Sequence, residues 1–489
     1  MYEKVTSNQG VETAANLQSI KGRAEYAVGL DIGTTKIVAM IGRYNDYGKV
    51  EVLGVGKSKS LGVHRGVVNN ITKTIESIQK AIFEAQAASG IEIIEVTVGI
   101  AGQHIRSTQE SDYIIRQDAE RVIDSVDIDQ LCGQMHKLAV LPGEEILHVL
   151  PQEYKVDGQT EIAEPIGMYG GRLEANFHVV VGQITSIKNI GRCVKSAGLD
   201  LSNITLEPIA SSKAVLSQEE KEAGVALVDI GGGTTDLAIF KDGIIRHTAV
   251  IPFGGNVITE DIKEGCAIIE RQAEMLKVKF GSAVPFDSQK KEFISIPGLR
   301  GREPKEISKL NLSKMIYARV VEIVEMVYQE IKNYGHEYNS RKLIAGIVLT
   351  GGGAQLKNLK QLVELVSGMD TRIGYPNEHL SGTSKKEITC PMYATAVGLV
   401  MEGLEANQRT NEDEIKEQIS SENELLDKQV KETVIEQAKA ETKILEEEKE
   451  IQVEPDQKMH EDRTKVMTDK KNFFERWGDK FKEFLDNVE

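Results

Sequence analysis

Three glycines flanked by an aspartate and two threonines make the most chemically specific stretch of the sequence, LVDIGGGTTDLAIF from Leu227 to Phe240. One apolar run leads in and another leads out, so the stretch reads as a β-hairpin with Gly231, Gly232 and Gly233 at its tip. Glycines there accept positive φ without steric cost and aim several backbone N–H groups at one point, which makes a seat for a polyanion. Thr234 and Thr235 add hydroxyl donors, and Asp229 at the end of the first strand is placed to hold a magnesium ion through water. The pattern recurs 198 positions earlier, two glycines shorter, as Asp31-Ile32-Gly33-Thr34-Thr35 followed by Lys36. A repeat at that distance suggests duplicated domains. Two hairpin tips facing each other would hold one phosphate chain from both sides; a glycine-rich hairpin without a ligand is the alternative.

The elements around these tips follow from periodicity. Each hairpin turns into a third strand, through Asn45 to Gly48 into VEVLGVG and through Asp242-Gly243 into IIRHTAVIP, so both copies read as three-stranded meanders. Ile71, Ile75, Ile78 and Ile82 recur at helical spacing between a cap at Asn69 and Asn70 and a stop at Gly90. The strand IEVTVGIAG follows, and the whole predicts an α/β architecture. Residues 96–182 exceed what that scheme needs and read as an inserted α+β subdomain with a helix near Asp127 to Leu138. NITLEPIASSKAVL resumes the scheme with a strand, Glu207-Pro208, and a helix starting in the Ala-Ser-Ser run.

Farther on, Gly254 and Gly255 form a turn and Thr259 is an N-cap candidate. Glu274 and Lys277, three apart, share a helical face, and taken alone they read as a surface ion pair. A long helix is expected near Asn311 to Tyr334. Gly351, Gly352 and Gly353 either make a tight turn or admit a flat ligand beside a helix N-terminus. Pro391 starts a last helix ending near Gly403.

Composition sets the outer bounds. The 489 residues, 40% apolar with 44 glycines, hold ample material for two or more cores. Cys132, Cys193, Cys266 and Cys390 lie more than sixty residues apart, which fits neither zinc nor a disulfide framework and suits a reducing, cytoplasmic compartment. The first residues lack the pattern of a secretion signal, and no uninterrupted apolar run is long enough to cross a bilayer. A net charge of −16 argues against nucleic acid as a partner. Most of that charge is local: residues 405–469 carry 20 acidic and 10 basic side chains, no glycine and one proline, the composition of a linker. The last twenty residues place Phe473, Phe474, Trp477, Phe481, Phe484, Leu485 and Val488 on one helical stripe, including the only tryptophan of the chain. With no core nearby to join, such a stripe suits a membrane surface or, alternatively, a partner's groove. Its five basic and five acidic residues leave insertion mainly to the apolar face.

GLDIGTTK, LVDIGGGTTDLAIF, the Glu207-Pro208 segment, VLTGGGAQL and PMYATAVGL, in that order, resemble the two phosphate, two connecting and adenosine motifs of the actin and heat-shock chaperone ATPases. AGQHIRS, EILHVLPQEYKVDG, IPGLRGREPKEIS and the aromatic C-terminal stripe further resemble the bacterial cell-division FtsA family. The resemblance implies an actin-like two-lobed ATPase fold with duplicated βββαβαβ domains. The layout would be an N-terminal extension (1–24), domain I (25–95 and 183–222) interrupted by the inserted subdomain (96–182), and domain II (223–404) with a small subdomain at about 256–340. The linker (405–469) and an amphipathic membrane-targeting helix (470–489) follow.

It also implies ATP and Mg2+ as cofactors, with Gly33 through Lys36 and Gly231 through Thr235 on the phosphates and Asp31 and Asp229 toward magnesium. Glu274 and Lys277 would grip ribose and adenine, Gly351 to Gly353 would lie beside the nucleoside, and Glu207 would position water. Turnover in the family is weak, so ATP is first a ligand for conformation and polymerisation. The implied partners are the C-terminal tail of FtsZ, docked within about 256–340 with Arg300 and Arg302 as candidates, further copies of the chain in a filament, membrane lipids, and later division proteins. The implied place is the cytoplasmic face of the cell membrane at midcell. A pilus-assembly relative or a small-molecule kinase on the same fold is the alternative.

Overall fold

The structure is a computed structural model describing residues 26–298, 303–338, 341–382 and 387–410. The chain divides into two units, 1–412 and 413–489, and all described residues fall in the first.

Two five-stranded sheets of the same topology dominate. In the first, β1 (Ala27–Ile32), β2 (Lys36–Tyr44) and β3 (Val50–Lys59) form an antiparallel meander. A two-residue turn joins the short strands β4 (Val63–His64) and β5 (Val67–Val68). Helix α1 (Ile71–Ser89) then crosses to β6 (Glu95–Ile100), which runs parallel to β1. Asn70 accepts from the backbone N–H of Lys73 and Gly90 takes φ 73°, so both ends of α1 are closed as its sequence requires.

Next come β7 (Ile105–Ile115), α2 (Ser125–Met135), β8 (Glu144–Val156), β9 (Gln159–Ile162) and β10 (Arg172–Gln183). These four strands make a separate antiparallel sheet in the order β7-β10-β8-β9, with a core of its own around Leu131, Leu173 and Phe177. Helix α3 (Ile184–Ser196) and β11 (Asp200–Leu206) return to the first sheet, whose order is β11-β6-β1-β2-β3.

Helices α4 (Glu207–Val215) and α5 (Gln218–Ala223) lead into the second meander, β12 (Val225–Ile230), β13 (Thr235–Lys241) and β14 (Ile244–Ile251). Asp242 at φ 57° and Gly243 at φ 79° form its second turn, the left-handed pair that a two-residue hairpin demands. Helices α6 (Gly255–Cys266) and α7 (Glu270–Phe280), the paired strands β15 (Phe293–Ile296) and β16 (Lys305–Ser308), and α8 (Lys309–Tyr334) follow. Then β17 (Ile347–Thr350), α9 (Leu359–Ser367) and β18 (Thr371–Ile373) complete a sheet ordered β14-β13-β12-β17-β18. Helix α10 spans 394–410.

β1 and β12 are buried at every residue, as strands at the middle of a covered sheet must be. Between the sheets lies a third core, in which Ala214 and Val215 of α4 and Ala394, Val397 and Val400 of α10 pack against Val38, Met40, Leu227 and Ala238. Each lobe therefore has its own interior, and two crossing helices fill the space that joins them.

Four local expectations change. The connecting helix begins at Glu207 rather than in the Ala-Ser-Ser run, because Pro208 in its first turn lacks only an N–H that has no helical partner there. Thr259 lies inside α6, which Gly254 precedes, and its hydroxyl donates to the carbonyl of Gly255 at 3.2 Å. Gly351 to Gly353 lead into a single 3-10 turn, Gly353–Gln355, so the helix N-terminus after them lies at Leu359. The last helix continues past Gly403, whose missing side chain lets it approach Ala27 and Thr97.

Candidate functional site

The two glycine tips meet. A Cβ added to Gly232 would lie 2.3 Å from Thr35 Cγ2, and one on Gly233 would lie 2.5 Å from Thr34 Oγ1. Only a residue without a side chain permits this approach, which explains why the second tip carries glycine at both positions. The N-terminus of α6 fixes the second tip from behind. The N–H of Gly255 donates to the carbonyl of Gly231 at 2.9 Å, and that of Asn256 to the carbonyl of Gly232 at 2.8 Å. With these carbonyls turned toward the helix, the adjoining peptide N–H groups are left for a ligand. The hydroxyl of Thr235 donates to the carbonyl of Phe253 at 2.8 Å, and that of Thr34 accepts from the N–H of Gly66 at 3.1 Å.

Behind the tips lies a group of acids with one close cation. Lys36 Nζ is 3.0 Å from Asp31 Oδ2 and 5.7 Å from the Tyr393 ring centroid. Burial alone would lower the lysine's pKa, but Asp31 and Asp229 outweigh it and raise it. Asp229 Oδ2 accepts from Ser211 at 2.7 Å on α4 and from Thr395 at 3.3 Å on α10, and these two hydroxyls are 3.1 Å apart. Both connecting helices thus grip the carboxylate at the foot of the second hairpin. Across the hairpin Asp236 pairs in register with Asp229. Its pKa is pushed up to about 8 by burial and by Asp229, against the hydrogen bond from Thr234 at 3.0 Å. Its Oδ1 is buried with no hydrogen-bond partner. Glu207, the first residue of α4, packs against Gly99, and its carboxyl is held well above the usual range by burial and by Asp31, Asp236 and Asp229.

A hard divalent cation fits this chemistry: beside Asp31 lie Asp229, Asp236 and Glu207, whose pKa values burial and neighbouring carboxylates raise, and one oxygen of Asp236 is unpartnered. Yet among the described residues no group of three or more acidic, histidine or cysteine side chains is arranged as a complete metal cage. Asp31 and Asp229 would therefore hold such an ion together with phosphate and water oxygens, as suits magnesium.

Gly351 lies over this corner at φ 83°, and a Cβ there would meet Asp229 Oδ1 at 2.3 Å; one on Gly353 would meet Ile230 Cγ2 at 2.4 Å. Gly352 is nearly open on its Cβ side, with Met392 at 4.0 Å. Glu274 and Lys277 pair at 2.7 Å; Glu274 stays half exposed while the lysine turns inward, its Nζ donating to the carbonyl of Gly255 and to Thr259 Oγ1, each at 2.8 Å. The ammonium sits 3.3 Å from where a Cβ of Gly255 would be, and the carbonyl of Gly231 lies 3.6 Å from that same point. Sequence reading placed this pair on the surface when taken alone; the fold of α6 against α7 turns its lysine toward the second tip.

The structure thus brings together Gly33 to Lys36, Gly231 to Thr235, Asp31, Asp229, Glu207, Lys277 and Gly351 to Gly353. Glu274 reaches the group only through Thr259 and Lys277. Arg300, Arg302 and the aromatic stripe from Phe473 to Val488 lie outside the described residues. Sequence reading missed Asp236, Ser211, Thr395 and Tyr393. A signal existed for Asp236, because a hairpin closing at Ile230 and Thr235 necessarily puts residue 236 opposite residue 229. None existed for Ser211 and Thr395, small residues that also serve close helix packing.

Comparison with known proteins agrees with this architecture. The family model described as "Cell division protein FtsA" matches residues 226–398, and the one described as "SHS2 domain inserted in FTSA" matches residues 102–181. The chain is 40% identical to a "Cell division protein FtsA" of Pseudomonas aeruginosa over 77% of its own length and 89% of the relative's. It is 34% identical to the Escherichia coli K12 protein of the same description, over 78% and 90%. Among solved structures, one described as "PilM-PilN type IV pilus biogenesis complex" superposes with a TM-score of 0.57 at 15% identity, covering 77% of this chain and 98% of that one, a likeness of fold alone. With its duplicated actin-like lobes, its inserted sheet and this degree of identity over most of its length, the chain belongs to the FtsA family of cell division proteins.

Proposed function

We propose that the protein binds ATP with magnesium in the cleft between the two hairpin tips and, in that state, assembles with its own copies and tethers FtsZ to the cytoplasmic face of the membrane. The observation that carries the nucleotide reading is the meeting of Gly232 with Thr35 and Gly233 with Thr34 above a buried acidic group. The peptide N–H groups and hydroxyls of both tips bind and orient phosphates, Lys36 and Lys277 offset their charge, and Gly351 to Gly353 leave room for the nucleoside. Magnesium would supply charge neutralisation between the carboxylates and the phosphates. Burial and the neighbouring Asp31, Asp236 and Asp229 favour the neutral form of Glu207, which works against its accepting a proton from water. Binding is therefore the principal role of the site and hydrolysis a slow accompaniment.

Membrane attachment rests on the aromatic stripe at 473–488, and FtsZ docking on the small subdomain at about 256–340. One amphipathic helix binds lipid weakly and reversibly, while many on tethered copies bind together, because linkage multiplies avidity without new contacts. The 59 residues 411–469 beyond α10 would reach on the order of 40 Å as a flexible coil.

Co-sedimentation tests the whole. FtsZ should pellet with liposomes only when this protein is present, more strongly with ATP, and not with a chain ending at residue 469. Equal pelleting of FtsZ by the shortened chain would overturn the tethering role.

A further inference from the structure

Arg65 is an unusual residue for its position. With Gly66 it forms the two-residue turn between β4 and β5, at φ 48° and 75°, where asparagine or aspartate followed by glycine is preferred. A long side chain is held there in the left-handed region against local preference. The turn is wedged tightly in place. A Cβ on Gly66 would lie 2.4 Å from the carbonyl of Ala101, and one on Gly233 would lie 2.9 Å from the Cα of Arg65. The neighbouring N–H of Gly66 donates to Thr34 Oγ1, so this one turn touches both tips. The guanidinium lies over the ring of Phe253 at 5.8 Å and, among the described residues, has no carboxylate partner. It is a cation delivered to the junction of two anion-binding loops and left without a counter-charge.

We propose that Arg65 is a ligand of the terminal phosphate of the bound nucleoside triphosphate, closing the first tip on the second when that phosphate is present. The inference rests on reading the cleft as an ATP site. Its placement at the terminal phosphate follows from the second tip: the carbonyl of Gly231 accepts from Gly255, the residue that Lys277 holds, at one end, while Gly233 faces Arg65 at the other. Gly351 and Gly353, the candidate nucleoside side, lie against Asp229 and Ile230 just before Gly231. The phosphate farthest from the nucleoside therefore falls at Gly233, within reach of a guanidinium that offers a planar pair of donors.

Equilibrium binding of ATP and ADP, each with magnesium, to the full chain and to Arg65→Gln, Arg65→Gly and Arg65→Lys tests this. The glutamine and glycine variants should lose on the order of tenfold or more in ATP affinity, the range of a hydrogen bond to a charged group, and less than about threefold in ADP affinity. The lysine variant should keep part of the preference. Arg65→Gly relieves the positive φ and should melt no lower than the parent, so its loss of ATP preference would not reflect misfolding. An unchanged ratio of ATP to ADP affinity in folded Arg65→Gly, with ATP still bound by the parent, would overturn this proposal alone. Failure of the parent to bind either nucleotide would overturn it together with the ATP reading.

Discussion

Asp236 shows how far a single side chain's environment reaches. Unfolded, it ionises near pH 4, whereas in the folded chain burial and Asp229 hold its proton until about pH 8. The folded state therefore binds more protons than the unfolded state across that window. Stability falls as pH rises through it, at a limiting slope of roughly 1.4 kcal/mol per pH unit for one such group. Asp229, raised by burial and by Asp31 against its hydrogen bond from Ser211, adds in the same direction. The nucleotide-free protein should accordingly melt at lower temperature at pH 8 than at pH 6, and Asp236→Asn should flatten that dependence. Thermal melts across this range would show it, and an equally steep dependence in the variant would refute the assignment. Glycines, threonines and the first aspartate of each hairpin were legible in the sequence because their chemistry is local. Asp236 was legible only once the hairpin register was set, and Ser211 and Thr395 not at all, since their role exists only where two distant helices cross.

The duplicated meanders, with the same order of strands in each sheet, were legible from turn residues and alternation. The start of α4 was not, because a proline marks a helix beginning as readily as a break. At that helix the missing side chain of Gly398 is the contact that matters. A Cβ there would lie 1.8 Å from the carbonyl oxygen of Ala210, backbone that has little room to yield. Gly398→Ala should separate α4 from α10 and cost about 1 to 3 kcal/mol, as over-packing of a well-filled interior does. It should also loosen the grip of Ser211 and Thr395 on Asp229, so nucleotide affinity should fall with the melting temperature. Parent-like melting in the variant would mean that the helices do not approach as described.

At the largest scale the described residues form two similar lobes with crossing helices between them. The inserted sheet spans the same junction. Ser107 and Gln109 of β7, and Gln152 of β8, hydrogen-bond carbonyls of β14 in the second lobe, and His178 of β10 pairs with Thr248 at 2.9 Å. His178 is kept neutral at ordinary pH, its pKa lowered to about 4 by burial and by nearby His247. A sheet connected in sequence to one lobe and hydrogen-bonded to the other ties the two together. That arrangement was invisible in the sequence, where residues 96–182 read as an inserted α+β subdomain with no sign of what it packs against, because it depends on which strand edges the folded lobes present.

Nucleotide capture between the tips is the central claim, and Gly233→Ala addresses it most directly. The added methyl would collide with Thr34 and with the backbone of Arg65 while leaving both cores intact. Titration of the full chain with ATP and magnesium should show one nucleotide bound per chain. In Gly233→Ala the affinity should be weaker by on the order of tenfold or more, in a nucleotide-free protein that still melts cooperatively but at a somewhat lower temperature, since the backbone of Arg65 must yield. No binding by the parent chain, or equal binding by both, would contradict the account.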